Sequence, residues 1–135
     1  MRLCHNSLIK DLPHNQLLGQ WRELNSIFKL KNRHILINFV YEYPDFDLYC
    51  YSMNVINEMK RRGYRVDMRN FNNRFEKYDF TYSREYIPFE NKMNDTYLKI
   101  CIANLYEKYL CHGLTEDEWQ KIYNAHKAET DSMNI

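Results

Sequence analysis

The adjacent pair Arg22-Glu23 sets a guanidinium beside a carboxylate, a combination that can grip an anion and move a proton. Leu17, Leu18, Trp21, Leu24, Ile27 and Phe28 recur around it at helical spacing. On a wheel of about 100° per residue both charged groups flank the apolar arc, with Glu23 about 200° on from Trp21. Position alone is also that of a solvated helix face, so a catalytic role needs a second signal.

A second concentration of chemistry lies between residues 60 and 84. Lys60, Arg61, Arg62, Arg65, Arg69, Arg74, Lys77 and Arg84 alternate there with Tyr64, Phe71, Phe75, Tyr78, Phe80 and Tyr82. Cations neutralise phosphates and aromatic faces stack on unpaired bases, so this stretch reads either as a nucleic-acid surface or, with acids interspersed, as an ordinary solvated face. Cys4-His5 and Cys111-His112 invite a two-plus-two zinc site, but adjacent residues rarely point at one ion and neither pair has ligand spacing. No metal site is expected. His14, His34 and His126 are isolated. Phosphate loops, nucleophile elbows and His-Glu-x-x-His motifs are missing, which leaves ATPase, hydrolase and zincin chemistry without support.

The elements that must position these residues are mostly helical. With 3 Gly and 3 Pro in 135 residues there are too few turn formers for a chain of tight hairpins, and 44% hydrophobic content is enough to fill one core. Asp11 and Pro13 mark the start of a first helix over about residues 12 to 29. A second begins after Pro44-Asp45 and closes on Lys60-Arg61-Arg62-Gly63, a cationic last turn followed by a C-cap glycine. A third runs from about Asp95 to His112, stopped by Gly113. Thr115 and Glu118 form a capping box, with Leu114 and Trp119 at staple positions, for a short fourth helix over about 116 to 127. The run from His34 to Tyr41 is too short for periodicity to separate strand from helix. Residues 64 to 94 read as a long ordered loop, and the last six or so are expected to fray. The fold class is therefore mostly α: one domain over 1–135, a compact bundle of three main helices plus a short C-terminal helix and long ordered loops.

Charge is unevenly spread. Residues 1 to 84 hold 14 Lys or Arg against 9 Asp or Glu, a balance of +5, while residues 85 to 135 hold 5 against 9, a balance of −4. The 4 Cys show no Cys-x-x-Cys pair, as expected of free thiols in a reducing compartment. The longest nearly apolar stretch, Ile35 to Tyr41, is far below the roughly 18 residues of a membrane span, and no secretory leader is evident. An intracellular location, in cytoplasm or nucleoid or nucleus, is the expectation.

Met1-Arg2-Leu3, followed by Leu12, Leu17-Leu18 and Trp21-Arg22-Glu23-Leu24, resembles the N-terminal motif of pyrimidine-dimer DNA glycosylases of the phage endonuclease V type. Met59-Lys60-Arg61-Arg62-Gly63-Tyr64 resembles the family's basic helix end, and Glu85-Tyr86-Ile87-Pro88-Phe89-Glu90 its Tyr-Ile-Pro turn, in family order. The resemblance implies a mostly helical single domain that excises one base of a cyclobutane pyrimidine dimer and nicks the strand at the abasic site. It implies an N-terminal α-amine as nucleophile, here that of Met1, and Glu23 as the assisting acid. Arg2 and Arg22 are implied to grip phosphates, and Lys60, Arg61 and Arg62, in the segment that resembles the basic helix end, are expected to bind DNA. No cofactor is implied, and the implied partner is double-stranded DNA containing damaged bases, bound by a monomer without a membrane or an obligate protein partner.

An α-amine suits that role, because its ordinary pKa of about 7.7 to 8.0 leaves a useful neutral fraction at pH 7. The sequence departs from the pattern in several places, among them a segment before His34 shorter than in the phage protein and an aromatic C-terminus not reproduced beyond Trp119 and Tyr123. Arg2 is too large for ordinary removal of the initiator, so Met1 is expected to be retained, and Ser26 stands where the family has an arginine one turn beyond the acid. Two alternatives remain open: an abasic-site lyase for another lesion, and a noncatalytic nucleic-acid-binding module using the 60–84 surface.

Overall fold

Six α-helices and two short 3₁₀ turns form the computed structural model, which describes residues 2–29 and 34–135. The helices are α1 (His14–Phe28), α2 (Asp45–Arg61), α3 (Arg69–Phe75), α4 (Asp95–Leu110), α5 (Glu116–Ala125) and α6 (Lys127–Ser132). The 3₁₀ turns cover Asn6–Asp11 and Asn38–Glu42, and the described residues contain no strand. The fold is mostly α.

α1 and α2 pack against each other because each carries an apolar stripe at helical spacing. Leu17, Leu24 and Ile27 on α1 and Leu48, Val55, Ile56 and Met59 on α2 are at most 1% exposed. α3 lies on α1, and α5 and α6 lie on α4. The extended segment at the start of the chain enters the same core, with Leu3 and Leu8 fully buried. One continuous apolar cluster joins Leu3 to Ile122.

The capping signals near the C-terminus are realised. Thr115 Oγ1 accepts from Glu118 N–H at 3.1 Å while the Glu118 carboxylate accepts from Thr115 N–H at 2.8 Å. α2 ends in a Schellman arrangement: Gly63 sits at φ +82°, and Tyr64 N–H reaches back to the Met59 carbonyl at 2.9 Å. The end of α4 differs from the sequence expectation. There His112, not Gly113, takes the left-handed conformation, at φ +64°. Gly113 is needed for another reason, since a Cβ on it would stand 3.1 Å from the Lys108 carbonyl oxygen.

Other expectations are corrected. Asp11 does not cap α1, which begins after Pro13 without a side-chain cap. Asp11 is instead buried in the first 3₁₀ turn, 3.3 Å from His126 Nε2 at the junction of α5 and α6. Residues 34–37 form a turn that leads into 3₁₀ structure, which settles the strand-or-helix question for the described part of that run. The stretch read as loop over 64 to 94 contains α3, whose Phe71 and Phe75, one turn apart, pack edge-on to Phe28. Near the end of the chain, α6 continues to Ser132 and buries Thr130 completely, so residues expected to fray include a packed helix.

The α4 terminus yields a direct check. His112→Gly relieves a left-handed conformation costly to any β-carbon and is expected to stabilise the protein by about 0.5–1 kcal/mol. Gly113→Ala is expected to destabilise it, both read by denaturant unfolding.

Candidate active site and nucleic-acid interface

Residues 2–4 run extended through the interior, where no helix or sheet ladder can satisfy their backbone groups. Side chains do so instead. Gln20 on α1 donates from Nε2 to the Arg2 carbonyl at 3.1 Å and accepts at Oε1 from Cys4 N–H at 2.9 Å. The Tyr51 hydroxyl on α2 is directed at the Cys4 carbonyl at 2.8 Å and lies 3.1 Å from Gln20 Oε1. From α4 the Tyr97 hydroxyl donates to the Leu3 carbonyl. Three helices thus hold the segment by its main chain, independently of its side chains.

The clamp is kept uncharged. Burial pushes the Cys4 thiol up to about 12, with the Tyr51 hydrogen bond opposing, and burial also raises both phenols. Arg2 partly opposes the rise at Tyr97 and at Cys101. Burial lowers His5, whose Nδ1 accepts from Ser7 N–H at 3.1 Å and so caps the first 3₁₀ turn. The charge beside these neutral clamp groups comes from Arg2 and from Lys92, whose Nζ lies 4.5 Å from the Tyr97 ring centroid.

Arg2 opens onto a cavity of about 410 Å³, lined also by Gln16, Gln20, Leu36, Asn104 and Lys108. Two cations and three amides with no carboxylate among its lining residues favour an anionic occupant. Glu23 is half-buried on α1, three residues beyond Gln20 and seven beyond Gln16. At about 100° per residue these three share one face, next to the core stripe of Leu17, Trp21 and Leu24. Glu23 lines neither this cavity nor the groove beside Arg22. Met1 lies outside the described residues.

The expected phosphate contacts are spread over several places. Arg22 is exposed beside a groove of about 470 Å³ that it shares with Ser26, Lys29 and Asn70, between α1 and α3. Lys60 is exposed at the end of α2. Arg61 and Arg62 both bind Glu58, at 2.5 Å and 2.6 Å, and Arg62 also donates to the Lys10 carbonyl at 3.2 Å. Arg62 therefore ties α2 to the first 3₁₀ turn, a structural role the sequence reading did not assign.

The aromatic half of the 60–84 surface is corrected in the same way. Phe71 and Phe75 are core residues, and Tyr78 stacks on Phe80 at 4.4 Å. The hydroxyls of Tyr64, Tyr78 and Tyr82 bind His14, Asp45 and Asn54. Arg74 pairs with Asp45 and Arg69 with Asp67. These rings and cations fasten the loop to α1 and α2. The two Cys-His pairs hold no metal cluster: among the described residues no three His, Cys, Asp or Glu side chains are gathered for one. No described helix is long and apolar enough to cross a membrane.

The segment that carries this clamp also carries the family signature. A family model described as pyrimidine dimer DNA glycosylase matches residues 1–72, from the N-terminal segment through α1 and α2 into α3. The chain belongs to the pyrimidine dimer DNA glycosylase family, and is thereby an enzyme whose partner is damaged DNA. No curated protein and no solved structure matches it.

Gln20, Tyr51 and Tyr97 are the site residues that sequence reasoning missed. Gln20 had one signal, its register with Gln16 and Glu23 beside an apolar stripe, whereas Tyr51 and Tyr97 had none. Gln20→Ala strips partners from Cys4 N–H and the Arg2 carbonyl and is expected to lower stability by roughly 1–3 kcal/mol in denaturant unfolding. A second check concerns Glu58. Burial raises its carboxyl, but hydrogen bonds from Arg61 and Arg62 outweigh this and hold it below its ordinary 4.5. A folded-state value lowered in this way contributes stability above 4.5 that is lost as pH falls through the folded value. Glu58→Gln is expected to flatten the acid side of the thermal-stability profile below about pH 4.5, leaving the slope near neutrality unchanged.

Proposed function

We propose that the chain excises a base from cyclobutane pyrimidine dimers in double-stranded DNA and then nicks the strand at the abasic site, using the N-terminal α-amine of Met1 and the carboxylate of Glu23. The observation that carries this reading is the clamp on residues 2–4. Held through the Arg2 carbonyl, the Leu3 carbonyl and both Cys4 backbone groups, the segment next to the N-terminus is anchored to α1, the helix that carries Glu23. Such fixation is what an attacking amine requires, since positioning supplies much of the rate in a bimolecular attack.

Water is the one co-reactant the chemistry needs: it hydrolyses the final imine, which releases the nicked strand as a sugar aldehyde and frees the amine. As the C1′–N bond to the base breaks, the electron pair leaves with the base and the sugar becomes cationic, a charge the Glu23 carboxylate stabilises. The neutral amine adds to C1′ and loses a proton, and ring opening gives an imine. That imine acidifies the C2′ proton, and its removal expels the 3′ phosphate by β-elimination. Arg2 holds a phosphate near the amine, and Arg22, Lys60 and Arg61 contribute weaker contacts along the duplex. A dimer is poorly stacked, so a protein that bends or opens DNA selects it by deformability. The whole of residues 1–135 acts as one such unit.

Borohydride trapping of untagged protein on duplexes bearing a dimer, an abasic site or no lesion tests this. A reduced adduct on the Met1 nitrogen with dimer DNA is the expected result. An adduct with abasic DNA only would replace the dimer by another lesion, and none at all would leave a binding protein. N-terminal acetylation is expected to abolish the adduct, and Glu23→Gln to slow excision by about 10²–10⁴-fold while leaving DNA affinity nearly intact.

A further inference from the structure

Ile35 is 81% exposed, the highest value among the exposed large hydrophobic residues of the described chain. It is not a loose side chain. The turn that carries it is fixed by Ile37 N–H on the His34 carbonyl at 3.0 Å and by Leu36 N–H on His34 Nδ1 at 3.1 Å. Ile37 is fully buried and anchors the turn in the core. Leu36 is 38% exposed and lines the same cavity as Arg2, Gln20 and Lys108. Leu36 thus lines a cavity that Arg2 and Lys108 also line, and the exposed Ile35 precedes it in the same fixed turn.

We infer that Ile35, backed by Leu36, is the wedge that enters the DNA stack at the lesion and holds the duplex open over the cavity. The inference rests on the DNA-repair reading above and deepens it by naming the residue that does the opening. Aliphatic side chains inserted at a base step unstack it and kink the duplex, and such a wedge needs flanking cations to hold the phosphates on either side. Arg2 and Lys108 supply them from the lining of this cavity. The other exposed apolar residues lack that setting. Ile87 stands in a groove with Asp47, Glu85 and Glu90, carboxylates that repel a phosphate backbone. Ile100 and Leu110 are single exposed positions on α4.

The test uses Ile35→Ser in the full chain, with Leu110→Ser as an equally apolar control. A dimer duplex carrying 2-aminopurine beside the lesion is bound by protein also bearing Glu23→Gln, so that no excision intervenes. Fluorescence is expected to rise on binding, and Ile35→Ser to remove most of that rise. In the otherwise native chain Ile35→Ser is expected to slow excision from dimer duplex by about tenfold or more, with borohydride trapping on single-stranded abasic DNA within about twofold and the melting temperature unchanged. Leu110→Ser changes none of these. Full fluorescence and excision with Ile35→Ser would overturn the wedge while leaving the glycosylase reading intact. A parent chain that cannot process dimer DNA overturns both. Sedimentation showing a dimer of the parent chain that Ile35→Ser dissociates would assign the turn to self-association and overturn the wedge.

Discussion

Burying an extended segment at the start of the chain imposes the constraint on which the rest of the arrangement depends. Its amide and carbonyl groups leave water without entering a helix or a sheet, and each unmet group costs roughly 1–3 kcal/mol. Gln20, Tyr51 and Tyr97 meet that cost from three different helices. The bundle must therefore bring α1, α2 and α4 to one point, and the large apolar stripes of α1 and α2 supply the energy for it. Stability and the course of residues 2–4 are settled by one set of bonds.

That economy accounts for the polar residues inside the apolar body. Gln20 is 7% exposed and Tyr51 fully buried, positions that purely apolar side chains would fill if packing were the only demand. Holding a segment by its main chain leaves the Arg2 guanidinium to line the cavity beside it. The clamp is also uncharged, since burial raises both phenols and the Cys4 thiol, so it adds no charge of its own beside Arg2.

What the sequence revealed was set by the range of each signal. The capping box at Thr115 and Glu118, the glycine ending α2 and the stripes of α1, α2 and α4 lie within a few residues, and their elements fall where expected. α3 was invisible because its two apolar residues form a helix face only against rings distant in sequence, Phe28 and Tyr49. The same fact undid the stacking role given to Phe71 and Phe75, since local sequence does not distinguish an aromatic that meets a base from one that meets a core. Arg62 was legible as a cation but not as the partner of Glu58. At the site, Arg2, Arg22 and Glu23 stood out through motif resemblance, whereas the clamp joins positions 20, 51 and 97 that no local spacing connects.

The most direct measurement is a crystal structure of the borohydride-reduced complex on a dimer duplex. The account predicts a covalent bond from the residue-1 nitrogen to C1′, the Gln20 bonds to Arg2 and Cys4 intact, and a Glu23 oxygen within about 3.5 Å of the sugar or the new amine. A bond from a lysine side chain, or a residue-1 adduct with Glu23 turned away and the clamp broken, would contradict it.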